Sequence, residues 1–250
     1  MTDEAAGAEF DEGMTGEKAA SMLSAIYEKA LNGVPKVSRP IDEFADDYAD
    51  RFDTPEHAAK ELVKYQIFKC GTSGFITGLG GLITLPVAIP ANIGSVLYVQ
   101  MRMVAAIAKI GGYDVRSDQV QTLVYVCLAG TAISDVVKQA GIKIGEKTLT
   151  TALKKLPGTA LVKINQRVGF RLITKFGEKG VVNLGKMIPL AGGVIGGAFD
   201  MASTSVIAKN AIKFFINGEE PTGEAITEVE AIEIESVVEE ATAQEEDEKS

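Results

Sequence analysis

Residues 71–101 read GTSGFITGLGGLITLPVAIPANIGSVLYVQM and make up nearly all of a run of 32 residues, 70–101, that carries no charge. A continuous apolar stretch of about 18 residues or more is ordinarily long enough to cross a bilayer as one helix. Pro86 and Pro90 interrupt this one. Proline lacks the backbone N–H and crowds the preceding turn, so the run divides into two arms, 71–85 and 91–101. At about 1.5 Å per residue each arm measures only about 16–22 Å, short of a hydrocarbon core of about 30 Å. The spacing therefore predicts a helical hairpin, with its second arm continuing past Arg102 through residues 103–108. Such a hairpin suits either a membrane interface or a soluble core. In the membrane case Leu82, Leu85, Pro86, Val87 and Pro90 are the residues expected to meet lipid.

Outside this centre the chain reads as helix almost throughout. Over 16–31 the apolar residues Leu23, Ile26, Tyr27 and Ala30 recur at three and four, and Asn32-Gly33 with Pro35 stops the pattern. Pro40 suits a helix start, followed by the stripe Ile41, Phe44, Ala45, Tyr48, Phe52. Thr54-Pro55 is a cap followed by a first-turn proline, opening a helix to about residue 69. Ser117 caps a helix expected to reach 139, Pro157-Gly158 breaks the next stretch, and Pro189 opens a last helix toward 216. Uncharged stretches at 119–134 and 187–199 are too short to span a membrane. No alternating run bounded by hairpin turns occurs. The expectation is an all-α fold: a single multi-helix bundle over 16–218, built around the central Gly/Pro-containing apolar hairpin. Residues 1–15 and 219–250 are acidic and poor in aromatic residues, and are expected to be disordered. The pairs Gly74/Gly78, Gly141/Gly145, Gly192/Gly196 and Gly193/Gly197 are spaced for close helix contact, in lipid or in a soluble bundle.

Composition removes several chemistries. The chain holds 1 His, 2 Cys and no Trp. His57, Cys70 and Cys127 are too few for a structural zinc site or a disulfide framework, and a His-dependent triad would have to use His57. GTSGFITGLGG lacks the Lys-Ser/Thr of a phosphate-binding loop and does not match GxGxxG. No metal and no cofactor is expected. The start, MTDEAAGAEFDEG, has no basic-then-apolar order of a secretory signal, so the protein is expected in the cytoplasm with reduced cysteines.

The net charge of −9 conceals blocks of opposite sign. Residues 1–61 carry 15 acids against 6 bases, residues 138–186 carry 11 bases against 2 acids, and residues 219–250 carry 13 acids against 1 base. Within the basic block Lys163, Arg167, Arg171, Lys175 and Lys179 recur every four residues, so on a helix they form one slowly winding stripe. Leu161, Ile164, Val168, Leu172 and Phe176 run beside it. Cations beside an apolar stripe suit a helix lying on anionic membrane lipid, at about 1 kcal/mol per cation. The same pattern suits a solvated face or one paired with the acidic N-terminal block. Nucleic acid is not expected as a partner, because the block has only Phe170 and Phe176 for stacking and the acidic tail would compete. A homo-oligomer is left open.

Carboxylates set in apolar sequence are candidates for catalysis, since burial raises their pKa. Asp114 in GGYD, Asp135 after GTAIS and Asp200 after GGVIGGAF fit, with Arg102 as the natural counter-charge. They would serve a lipid-directed hydrolase or transferase. Helix caps and ordinary ion pairs explain the same residues.

The order of these pieces resembles the EcsC family of bacterial proteins over residues 21–216. The resemblance rests on the apolar stretch through Gly112-Tyr113-Asp114, the helix with Leu128-Ala129-Gly130, KINQRVGFRLITKFGEKG and IPLAGGVIGGAFD. Its most specific part is Leu85-Pro86 with Pro90, then Gln100 and Arg102-Met103, then Gly112-Tyr113-Asp114. The family is named after a protein encoded beside two components of an ABC transporter. The resemblance implies a helical, membrane-associated protein, with a membrane transporter as a possible partner, and brings no catalytic residues. Together these readings lead to a peripheral protein on the inner face of a membrane, held by the basic stripe and the apolar hairpin.

Overall fold

The computed structural model describes residues 15–71, 91–129, 157–176 and 195–219, of which 68–71, 91–93, 174–176 and 195–203 are described by their backbone. Among the described residues there are seven helices and no strand: α1 Gly16–Asn32, α2 Ile41–Arg51, α3 Pro55–Gly71, α4 Ala91–Ile110, α5 Asp118–Ala129, α6 Gly158–Phe176 and α7 Ile195–Phe215. The fold is all-α.

Local chemistry sets the ends of these helices. The Thr15 hydroxyl accepts from the Lys18 N–H at 3.2 Å and starts α1. Gly33 ends it at φ 76°, its N–H returning to the Lys29 carbonyl. Pro40 precedes α2, and the Thr54 hydroxyl accepts from the His57 N–H at the start of α3. After α4, Gly112 takes φ 81° and donates to the Lys109 carbonyl while Tyr113 donates to Ala108. That pair of bonds satisfies carbonyls which a helix end otherwise leaves open. Ser117 caps α5 through its hydroxyl to the Val120 N–H.

Helix α4 is the axis of the molecule. It packs against α1, α2, α3, α5 and α7, while α6 lies on α1 and α5. No residue from 97 to 108 is more than 5% exposed. A helix apolar on every side has to be surrounded, and this one is. In the second arm of the expected hairpin, residues 94, 95 and 97–101 are therefore buried in protein. The first arm and the tip, with Leu82, Leu85, Pro86, Val87 and Pro90, lie outside the described residues, as do 1–14 and 220–250. No helix among the described residues is long and apolar enough to cross a membrane.

Among the described residues, a glycine outside the paired spacings marks a close approach of two helices. A Cβ on Gly169 would sit 3.1 Å from the Ala20 nitrogen, which brings α6 down onto α1. Of the paired glycines, 74, 78, 141, 145, 192 and 193 fall outside the described residues, and Gly196 and Gly197 fall in the backbone-only start of α7.

Candidate functional site

Arg102 carries a charge into the core of α4 and is 5% exposed. It meets no carboxylate among the described residues, Asp114 included; the side chains of Asp135 and Asp200, the other two expected partners, lie outside them. One guanidinium nitrogen donates to the Ala30 carbonyl at 2.9 Å, at the end of α1, and another donates to the Arg39 carbonyl. The guanidinium carbon lies 4.7 Å from the centre of the Phe44 ring. Burial pulls the Arg102 pKa below its ordinary value, and the nearby positive charge of Arg39 adds to that, against the opposing effect of Tyr98. The Tyr98 hydroxyl is in turn bonded to the Ser38 hydroxyl.

These groups form one wall of a pocket of about 390 Å³ between the α1–α2 turn, α2, α3 and α4. The turn is held tightly. Ser38 and Val34 exchange backbone bonds, and the Ser38 hydroxyl also accepts from the Val34 N–H at 3.0 Å. Across the pocket Arg51 lies 4.6 Å over the Tyr48 ring and donates to Asp47 Oδ2 at 2.8 Å. Arg39 donates to the same oxygen at 3.1 Å. Burial raises the Tyr48 pKa, so its hydroxyl stays protonated at neutral pH. Arg39, Arg51, Tyr98 and Gln66 carry no signal in the sequence, and Tyr48 stood out only as part of the apolar stripe of α2. The available signal was Arg102 itself, a lone cation at the end of 32 uncharged residues; its neighbours come from helices far away in the chain.

The three carboxylates fare differently. Asp114 is exposed in the α4–α5 turn, where its side chain accepts from the Arg116 N–H at 3.0 Å and its carbonyl accepts from the Ser117 hydroxyl. It organises a turn and is not buried in apolar surroundings. Asp135 lies outside the described residues, and Asp200 lies in the part of α7 described by its backbone. His57 is exposed at the start of α3, its ring 4.8 Å from that of Phe52. No group of three or more potential metal ligands occurs among the described residues.

The stripe on α6 divides cleanly. Lys163, Arg167 and Arg171 are exposed, whereas Leu161, Ile164, Val168 and Leu172 are buried against the bundle. The apolar stripe that was expected to accompany the cations to lipid is therefore core. Two other residues take its place on the outer face: Val162 is 54% exposed and Phe170 44%. Lys175 lies in the backbone-only end of α6, Phe176 with it, and Lys179 lies outside the described residues.

The residues that carried the family resemblance now have structural work. Gln100 donates to the Thr204 hydroxyl at 3.2 Å, joining α4 to α7, and Arg102 ties α4 to the end of α1. Gly112 closes α4, Tyr113 packs its ring 5.1 Å from that of Phe215, and Asp114 shapes the turn. No curated protein and no solved structure matches the chain. The model of the EcsC protein family matches residues 12–216, which span the whole helical bundle, and the chain belongs to that family.

Proposed function

We propose that the protein associates peripherally with anionic membrane lipid through the outer face of α6. The observation that carries this reading is the composition of that face: Lys163, Arg167 and Arg171 exposed together with Val162 and Phe170, while the opposite face is buried against α1 and α5. Cations draw the helix to an anionic surface, and large apolar side chains between them add burial among the lipid headgroups. The family resemblance to membrane-associated proteins supports the same reading. The apolar segment 72–90 is proposed as a second contact on its composition alone. No described geometry favours the hydrolase or transferase alternative, since the one candidate carboxylate with a described side chain is engaged in a turn.

Co-sedimentation with vesicles of mixed neutral and anionic lipid tests the proposal. Replacing Lys163, Arg167 and Arg171 by Gln is expected to weaken binding by up to about a hundredfold, from about 1 kcal/mol per cation, and to flatten its salt dependence. Phe170→Ser should weaken binding at high salt as well. Unchanged binding in both variants assigns the face to solvent and overturns the proposal.

A further inference from the structure

We propose that the pocket between α2, α3 and α4 binds the phosphoryl group of a small organic phosphate. This inference stands apart from the lipid-surface reading, because it uses none of the residues on the outer face of α6.

Three guanidinium groups line the pocket, from Arg39, Arg51 and Arg102, against one carboxylate, Asp47. That carboxylate is shared: Arg39 and Arg51 both donate to Asp47 Oδ2. Arg102 meets backbone carbonyls, which satisfy its hydrogen bonds without cancelling its charge. The pocket therefore carries an excess of two positive charges, one of them almost wholly shielded from water. Charges in such a cleft act at a lower effective dielectric than at an open surface, so an incoming anion is attracted strongly.

The arrangement favours a phosphoryl group over a carboxylate. A phosphate monoester brings close to two negative charges, matching the excess charge, and three acceptor oxygens for the guanidinium groups at the entrance. A carboxylate brings one charge and two oxygens. Neutral polar groups also line the pocket: the Tyr48 hydroxyl, the Tyr98 hydroxyl bonded to Ser38, and the amide of Gln66, which is 5% exposed. The remaining walls, including Phe44, Tyr65 and Val99, are apolar or aromatic, and the volume of about 390 Å³ lies in the usual range for small-molecule sites. Such walls fit an organic body attached to the phosphate. Arg39 and Arg51 are about half exposed and stand at the entrance, with Arg102 deeper inside.

Titration calorimetry on the full chain at low ionic strength tests this with two probes, glycerol 3-phosphate and monomeric dihexanoyl phosphatidic acid, and with inorganic phosphate as competitor. At least one probe is expected to bind saturably at one site and to be displaced by the competitor. Tighter glycerol 3-phosphate identifies a free phosphate ester as the source, and tighter phosphatidic acid a lipid headgroup; either order supports the site. In the double variant R39Q/R51Q affinity should fall about tenfold or more, since charge-assisted bonds are lost. Asp47→Asn removes the competing carboxylate and should tighten binding, which gives a reading even where the double variant does not fold. The variant K163Q/R167Q/R171Q should bind both probes as the unmodified chain does, so failure of the lipid-surface reading and failure of this one are separable. Absence of saturable binding to both probes, unchanged affinity in folded R39Q/R51Q, or weaker binding in D47N overturns the assignment.

Discussion

A guanidinium in the middle of an apolar helix has to find partners, and Arg102 finds them in backbone that other elements leave open. Its bonds to the Ala30 and Arg39 carbonyls serve the end of α1 and the turn that follows. Arg102→Met is expected to cost about 1–3 kcal/mol in urea unfolding, because buried carbonyls lose their donor. In the same turn Gly33 sits at φ 76°, and a Cβ there would lie 2.5 Å from the Ser38 oxygen and 2.7 Å from the Arg39 oxygen. Both contacts are to backbone, which cannot swing aside. Gly33→Ala should therefore destabilise by about 1–3 kcal/mol, measured the same way. Cys127 gives a third test. It is 1% exposed, and burial pushes its thiol up to about 12, so it should resist alkylation at pH 8 in a Cys70→Ala background and react at once in urea. Rapid labelling of the folded chain would show that α5 opens readily.

At the level of the element, α6 has two faces with separable consequences. Ile164 is 1% exposed, and its replacement by Ala removes core packing at an expected cost of about 2–5 kcal/mol. Phe170→Ser on the outer face should change stability by no more than about 0.5 kcal/mol while weakening vesicle binding. If instead Phe170→Ser lowers the unfolding midpoint as far as Ile164→Ala does, the outer face is packed in solution and is not available to lipid. The periodicity of α6 was legible in the sequence, but which apolar residues belong to the core was not. Leu161, Ile164, Val168 and Leu172 follow one repeat, and nothing in that repeat distinguishes burial by lipid from burial by α1 and α5. The glycine that lets α6 approach, Gly169, belongs to no paired spacing, because its partner is the backbone of another helix at Ala19-Ala20.

Across the whole molecule, an exposed network of ion pairs joins elements distant in sequence. Asp42 of α2 bonds Lys109 at the end of α4, at 3.1 Å, and Arg116 before α5, at 3.0 Å. The bonds from Arg116 and Lys109 hold the Asp42 carboxyl below its ordinary 3.8, and the Asp42 bond holds Lys109 above its ordinary 10.5. A depressed carboxyl stabilises the fold fully above pH 3.8, and that contribution fades as pH falls through the lower folded value. A raised ammonium stabilises it fully below pH 10.5, and that contribution fades as pH rises through the higher folded value. Between these limits the network is insensitive to pH. Being exposed to solvent, each pair is worth about 0.5–1 kcal/mol at most, and less in salt. Asp42→Asn should accordingly lower the midpoint slightly at pH 7 and by progressively less toward pH 2, as followed by thermal unfolding; an equal loss at both ends would remove the pairing from the account. The opposed charges of residues 138–186 and 219–250 act at the same scale. Deleting 219–250 is expected to tighten binding to anionic vesicles at low salt, since an acidic segment competes with lipid for the basic block. Weaker or unchanged binding would leave that segment without a regulatory part.

The amino-acid sequence by itself determined the helices and most of their ends. Caps, prolines and apolar spacing are local, so Pro40, Thr54, Ser117 and Pro157 could be read before any packing was known. It also determined family membership, through motifs such as Gly112-Tyr113-Asp114. The tertiary structure alone decided what those residues do. An uncharged run is equally suited to lipid and to protein, and only the ring of α1, α2, α3, α5 and α7 around α4 makes residues 97–108 a core. Burial of a charge is likewise settled by neighbours: among the described residues Arg102 donates to carbonyls from 63 and 72 residues away, which no local pattern announces. The pocket was illegible for the same physical reason. Its cations stand on α2, α4 and the turn after α1, and their convergence exists only where those elements cross.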